Sequence, residues 1–96
     1  MTNPTPGLLF SDDLSAPEVF STGAAGFGLL LGNVVITFES LRYNHDTPPR
    51  QPTRTVNLRL VLPVQSAQLL VLGLNDYLVK QGLDPTAAMK GDATAN

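Results

Sequence analysis

The stretch TRTVNLRLVLPVQSAQLLVLGLNDYLVKQG, residues 53–82, decides the fold of this chain. Its first part alternates apolar and polar residues with a period of two up to Leu62, which is typical of a strand with one buried face. Pro63 ends that pattern, and apolar residues then recur at helical spacing as far as Leu78. The sequence therefore predicts a strand that runs directly into one long helix.

The ends of this helix have recognisable signals. Pro63 suits the first helical position, where its missing N–H removes no hydrogen bond, and Gln65 is positioned to reach back as a cap. Gly82 can supply the left-handed residue that ends a helix, and Lys80 is favourable in the last turn. We therefore expect the helix to extend from Pro63 to about Gln81.

Residues 27–38, FGLLLGNVVITF, predict a β-hairpin upstream of this unit. Gly32 and Asn33 form the expected two-residue turn, because both residue types adopt a positive φ readily. This turn places three apolar pairs on one face of the sheet: Leu31 with Val34, Leu29 with Ile36, and Phe27 with Phe38.

The second strand of the hairpin continues to Tyr43, and a proline-rich loop, residues 44–53, leads to the strand 54–62. We expect this last strand to return antiparallel, with Glu39 opposite Arg59. The predicted fold is α+β: an antiparallel β-meander of three to four strands, covered on one face by a single C-terminal α-helix. Its core face is predicted to comprise Phe27, Leu29, Leu31, Val34, Ile36, Phe38, Val56, Leu58, Leu60 and Leu62.

The remaining segments set the expected domain limits. Residues 1–16 carry prolines and the acidic pair Asp12 and Asp13, and they are predicted to form a flexible N-terminal arm. A short strand is expected at 18–21, interrupted by the glycine-alanine run 23–26. We expect one domain over residues 17–83 and a disordered tail over 84–96.

Composition excludes several function classes. The 96-residue chain has a net charge of −2, so no overall field attracts nucleic acid or an anionic membrane. It has no cysteine and a single histidine, which argues against a metal site, and no apolar run is long enough to span a bilayer. We expect a soluble cytoplasmic protein with no cofactor and no catalytic residues.

The single histidine, His45, lies beside Asp46 in the proline-rich loop. A catalytic pair of this kind needs a positioned nucleophile, and the sequence shows none. A solvated loop histidine is the preferred interpretation, and an enzyme would require a site built across a subunit interface.

Apolar residues are predicted on two outer surfaces, and these suggest a partner. With only 15% charged residues, the chain has little polar surface to keep such faces in water. Gly73 in the helix interior costs ~1 kcal/mol relative to alanine unless a close approach uses it. A homodimer is the favoured assembly. The predicted interface residues are Leu69, Leu72, Gly73 and Val79 on the helix, and Leu30, Val35, Leu41 and Val61 on the sheet.

The arginines indicate an alternative function. All four of them, Arg42, Arg50, Arg54 and Arg59, fall on the hairpin 42–59, with Tyr43 and His45 nearby. Such a cluster can hold phosphate while an aromatic ring stacks on a base. The competing interpretation is a loop kept soluble by charge, and the acidic total favours it over nucleic-acid or anionic-ligand binding.

The order strand–strand–strand–helix resembles a family of small bacterial and archaeal proteins known as a domain of unknown function. The likeness rests on Val-Ile-Thr-Phe, residues 35–38, in the middle strand and on Leu-Pro-x-x-x-Ala, residues 62–67, at the helix start. It covers residues 19–81 and implies the fold and a small size, with no catalytic residue carried across. The leading hypothesis is therefore a non-enzymatic, self-associating module that acts through protein–protein interaction.

Overall fold

A computed structural model describes residues 7–43, 45–46 and 51–87. In this part of the chain, three strands, β1 (Gly23–Leu30), β2 (Asn33–Tyr43) and β3 (Pro52–Pro63), form an antiparallel sheet and precede one helix, α1 (Val64–Lys80). The predicted α+β order is confirmed. The chain divides into two compact units, Met1–Val61 and Leu62–Asn96, which are described in turn. The predicted domain limits, and the packing of the helix on the sheet, stay predictions.

The β1–β2 hairpin forms, but its register differs from the predicted one by two residues. Leu30 pairs with Asn33 and Leu29 with Val34, so the turn consists of Leu31 and Gly32 rather than Gly32 and Asn33. The predicted pairs of Leu31 with Val34, Leu29 with Ile36 and Phe27 with Phe38 were therefore wrong. A shift of two residues leaves every side chain on its predicted face, since the side-chain period of a strand is also two.

The backbone of this turn explains the register. Leu31 has φ 50° and Gly32 has φ 79°, and two consecutive positive values define a type I′ turn. Such turns match the twist of the flanking strands and favour glycine at the second position, as in the common Asn-Gly pair. The observed register gives Gly32 that position, although it forces Leu31 into a conformation that leucine rarely adopts.

The glycine-alanine run belongs to β1 instead of interrupting a strand before it. Ala24 pairs with Phe38 and Gly26 with Thr37, so Ala25 is an extra residue and forms a β-bulge. Residues 18–21, the predicted first strand, have no regular secondary structure. The bulge divides β1 into a short start and a regular part, Gly26 to Leu30.

Strand β3 begins at Pro52, two residues before its predicted start. Near this end, the Nε of Arg54 donates a 2.8 Å hydrogen bond to Oε1 of Glu39, within an ion pair of the two side chains. The predicted partner of Glu39 was Arg59, so that assignment was wrong. The placement of the β3 aliphatic residues on the predicted core face stays a prediction.

Burial in the described residues is concentrated on the central strand. Ile36 is the buried apolar residue, with 9% of its surface exposed, and Ser40 is the buried polar one. Both lie on the same face of β2, since they are separated by an even number of residues. Phe27, which pairs with Ile36, keeps 77% of its surface exposed. The core of the sheet is therefore narrow.

The second unit contains α1, which begins and ends close to its predicted limits. Pro63 is the N-cap residue, with φ −56° and ψ 151°, and no side chain caps this end, so the predicted role of Gln65 was wrong. At the other end, Gly82 has φ 77°, its N–H donates to the carbonyl of Val79, and the N–H of Leu83 donates to that of Leu78. These bonds form a Schellman motif and confirm Gly82 as the terminating residue.

Candidate self-association surface

The predicted interface residues on the sheet are largely exposed. Leu30, Leu41 and Val61 lie in solvent, and Val35 is half-buried. Exposure extends to residues predicted to be inward: Phe27 and Leu29 each keep 77% of their surface accessible, and Leu31 keeps 93%. The apolar surface of the sheet is therefore wider than the sequence predicted, and it is most pronounced along β1.

Strand β1 lies at an edge of the sheet, because the strand order is β1-β2-β3. Its eight residues, GAAGFGLL, include no charged residue and no proline. Natural proteins usually block an edge strand with a charge, a proline or a cover, since its unpaired backbone groups bind other strands. Among the described residues, β1 has its bulge near one end and no further protection over Gly26 to Leu30.

The glycines of β1 leave open space beside the strand. A Cβ atom built on Gly23, Gly26 or Gly28 meets no atom within 4 Å. None of the described side chains occupies the space that a side chain at these three positions would fill. Glycine in a strand often marks a place where another backbone approaches closely.

The helix has no buried residue, but its exposure is uneven. No residue of α1 is buried, and Leu72, one of the predicted interface residues, keeps 67% of its surface exposed. Leu69 and Val79 are also exposed, whereas Ala67, Gly73 and Leu78 are half-buried.

Polar residues on the helix frame this apolar surface without forming a reactive site. Asp76 and Lys80 form an ion pair one helical turn apart, with 3.0 Å between Oδ2 and Nζ. A depression bordered by Gln65, Gln68 and Leu72 is open to solvent. It is an open surface rather than an enclosed cavity of the kind that holds most small-molecule ligands.

The chain segment before β1 is attached to the sheet through Asn57 of β3. The Asn57 Nδ2 donates to the carbonyl of Phe20 at 2.8 Å, and its Oδ1 accepts from the Ser21 hydroxyl at 3.0 Å. The N–H of Thr22 also donates to the carbonyl of Glu39 at 2.9 Å. Residues 20–22 are thus fixed, whereas the apolar side chains further upstream, Leu8, Leu9, Phe10 and Leu14, are exposed.

Two short turns outside the sheet share one hydrogen-bonding pattern. Oδ1 of Asp13 accepts from the hydroxyl and the N–H of Ser15, and Oδ1 of Asp84 accepts from the N–H and the hydroxyl of Thr86. Hydrogen bonds to a carboxylate stabilise its charged form. They lower the pKa of Asp13, chiefly through the Ser15 hydroxyl, and the pKa of Asp84, chiefly through the Thr86 N–H.

Arg42 and Arg54 extend from opposite sides of the sheet. Arg54 pairs with Glu39, whereas the Nε of Arg42 donates to the hydroxyl of Ser40 at 3.2 Å. Glu39 and Ser40 are adjacent residues of β2, and adjacent residues of a strand point to opposite faces. Arg59 is exposed, and Arg50 lies outside the described residues. Anion binding by the four arginines stays a prediction.

Two aromatic side chains lie close together at the end of β2. The rings of Tyr43 and His45 lie 4.6 Å apart, centroid to centroid, and are inclined by 54°. In residues 7–43, 45–46 and 51–87, no three histidine, cysteine or acidic side chains come close enough to hold a metal ion. No helix in those ranges is long and apolar enough to cross a membrane.

Comparison of the chain with protein-family models, with curated proteins and with solved structures gave no match. The architectural resemblance described above therefore rests on the residue pattern alone.

The sequence pattern did not predict that β1 is an unprotected edge strand. A signal was present, since residues 19–38 contain no charged residue at all. Periodicity identifies strands, but it does not tell which of them ends a sheet. That information came from the strand order.

Proposed function

We propose that this chain is a non-enzymatic, self-associating module that acts through protein–protein contacts. One observation carries the proposal. The described residues bury one large apolar side chain, Ile36, while apolar side chains on all three strands and on α1 lie in solvent. A folded chain gains most of its stability by removing such surface from water.

Magnitudes support this argument. Burying one large aliphatic side chain contributes about 1.5–3 kcal/mol. Ordering the backbone costs roughly 1–2 kcal/mol for each residue. A core centred on Ile36 offsets the ordering of only a few residues. The additional burial that a stable fold requires is available where apolar strand and helix surfaces meet another protein molecule.

A second copy of the same chain is the partner we favour. Only 15% of the residues are charged and the net charge is −2, so two copies approach each other with little long-range repulsion. Symmetric dimers are also the commonest closed assemblies, because one self-complementary patch serves both subunits. We propose a homodimer with no cofactor.

The experiment is the solution mass of the full chain by light scattering over a concentration series. We expect a species of twice the 10.2 kDa chain mass. Leu72→Glu introduces a charge into the exposed apolar side of α1, and association weakened at least tenfold would show that this side of the helix is also buried in the dimer, since burying an unpaired charge is costly. Ser66→Glu adds the same charge at an exposed polar position of α1 that does not border the depression, and it should change association little.

The possible outcomes distinguish self-association itself from the location of its interface. A wild-type chain that stays monomeric at every concentration would overturn the proposed function. A dimer that Leu72→Glu leaves intact would keep self-association and remove the helix side of Leu72 from the interface. Circular dichroism of each variant shows whether the fold is retained.

A further inference from the structure

We infer that β1 is the element through which two copies join: the β1 strands of the two copies pair antiparallel about a two-fold axis at Gly28. This inference rests on the proposed self-association and specifies where it occurs. The two three-stranded sheets then become one continuous sheet of six strands.

The two edges of the sheet differ in protection, and this selects β1. Strand β3, the opposite edge, carries the charged residues Arg54 and Arg59 and has a proline at each end, Pro52 and Pro63. These features oppose the addition of another strand. Strand β1 has no charge and no proline, and the regular part Gly26 to Leu30 follows its bulge.

The hydrogen-bonding pattern of the hairpin identifies the free backbone groups. Leu30 and Asn33 flank the two-residue turn and form a hydrogen-bonded pair. Hydrogen-bonded and non-hydrogen-bonded pairs alternate along an antiparallel ladder, so the N–H and C=O groups of Gly28 point toward β2. Those of Phe27 and Leu29 point away from β2, toward the open edge.

A two-fold axis at Gly28 satisfies these groups. Phe27 then forms a hydrogen-bonded pair with Leu29 of the second copy, and the symmetric pair repeats the arrangement. Gly28 faces Gly28 of the second copy in the closer, non-hydrogen-bonded type of pair, where the Cα atoms lie about 4.5 Å apart. The backbone ladder therefore uses the outward groups of Phe27 and Leu29.

Side chains in this register are complementary. On one face, the exposed ring of Phe27 lies opposite Leu29 of the second copy. Aromatic–aliphatic pairs across strands stabilise a sheet. On the other face, Leu30 lies opposite Gly26, which has open space around it. No charged residue occurs in β1, so the two-fold brings no like charges together.

The register also limits the assembly to two copies. Pairing consumes the β1 edge of each sheet and leaves the two β3 strands as the edges of the six-stranded sheet. Those edges carry Arg54, Arg59 and the flanking prolines, which oppose further strand addition. The result is a closed dimer with an isologous interface.

Cysteine substitution tests this geometry directly, because the natural chain has no cysteine and any disulfide must join two copies. In Gly28→Cys, the two Cα atoms are expected about 4.5 Å apart, which is within the range that a disulfide spans. Gly26→Cys is the matched control on the same face of the same strand. Its two Cα atoms would be about 14 Å apart, at 3.4 Å for each residue of offset, too far for a disulfide.

Full-length Gly28→Cys, oxidised with copper phenanthroline, is expected to become mostly covalent dimer on non-reducing gels, at least tenfold more than Gly26→Cys. Equal cross-linking of both variants would indicate random collision and overturn the inference. Absence of cross-linking in Gly28→Cys, with a wild type that is dimeric by light scattering, would overturn the β1 assignment and leave self-association standing. A monomeric wild type without cross-linking would overturn both.

Discussion

At the scale of single residues, Leu31 is the most unusual position in the described chain. It has φ 50° and keeps 93% of its surface exposed at the tip of the β1–β2 hairpin. A left-handed conformation costs an ordinary residue roughly 1–2 kcal/mol, and no burial of Leu31 compensates for that cost. The left-handed conformation of Leu31 follows from the register that places Gly32 at the second turn position.

Leu31→Asn should therefore stabilise the chain. Asparagine tolerates a positive φ, and Asn-Gly is the preferred pair for a type I′ turn. We expect the free energy of unfolding to rise by about 1 kcal/mol, which corresponds to roughly 4–8 °C in Tm for a domain of this size. Thermal unfolding at a fixed protein concentration measures the change.

Leu30→Asn is the matched control for that substitution. Position 30 is the last residue of β1 and is paired with Asn33, so asparagine gains nothing from its turn preference there. A Leu31→Asn variant with unchanged or reduced stability would contradict the Leu31–Gly32 turn.

The two aspartate turns give a prediction about pH. Their carboxylates accept hydrogen bonds that lower the pKa of Asp13 and of Asp84 from the ordinary 3.8. A lowered pKa in the folded turn means that the stabilisation is present above the unfolded value and is lost as pH falls through the lowered one. Both turns should thus persist at neutral pH and open under acid conditions, below about pH 3.8.

Variants of Ser15 and Thr86 separate the side-chain and backbone contributions to these lowered pKa values. Ser15→Ala removes the largest cause at Asp13, so the pKa of that carboxyl should rise toward its ordinary value. Thr86→Ala leaves the backbone N–H on Asp84 and should raise that pKa less. Carboxyl chemical shifts followed by NMR during an acid titration measure both. Equal changes in the two variants would contradict this order of causes.

At the scale of secondary-structure elements, the ion pair between β2 and β3 tests the strand pairing. Glu39 has 17% of its side chain exposed and Arg54 has 68%, so the pair is screened by solvent on one side. We expect a coupling of up to about 1 kcal/mol between Glu39→Gln and Arg54→Met in a double-mutant cycle, as for other exposed ion pairs. Urea unfolding provides the four free energies.

The same cycle with Arg59→Met is the control for strand register. Arg59 was the partner that the sequence favoured, and it makes no ion pair with Glu39 among the described residues. We expect its coupling to be close to zero. A larger coupling for Arg59 than for Arg54 would support the originally predicted pairing of β2 with β3.

The elements also show which parts of the fold the sequence can predict. The helix was predicted within about one residue at each end, because its period and Gly82 are local signals. The hairpin register was missed because both candidate turns, Gly32–Asn33 and Leu31–Gly32, contain Gly32, and the registers that they produce differ by two residues. A shift of two preserves the face of every side chain, so hydrophobic alternation cannot distinguish the two registers.

The candidate surface was predicted in part, for a similar physical reason. Alternation predicted that Leu30 and Leu41 would be exposed, and they are. It also predicted that Phe27 and Leu29 would be inward, and both are exposed on the edge strand. Burial depends on how many neighbours flank a strand, which is a property of the strand order and is absent from the local pattern.

At the scale of the whole molecule, the apolar surface connects stability with assembly. If association supplies the burial that the described chain lacks, folding and dimerisation are thermodynamically linked, and stability depends on protein concentration. The free energy of unfolding measured at one protein concentration would then include the free energy of dimerisation. Because β1–β1 pairing ends at two copies, the assembly that is linked to folding is a dimer.

The attachment of residues 20–22 to Asn57 also has a consequence for the order of events during synthesis. Asn57 is made 37 residues after Phe20, which takes roughly 2–7 s at usual rates of translation. A hairpin such as β1–β2 forms in about 1–10 μs. The β1–β2 hairpin can therefore form while the segment before it still lacks its anchor, and that segment is fixed to the sheet only after β3 emerges.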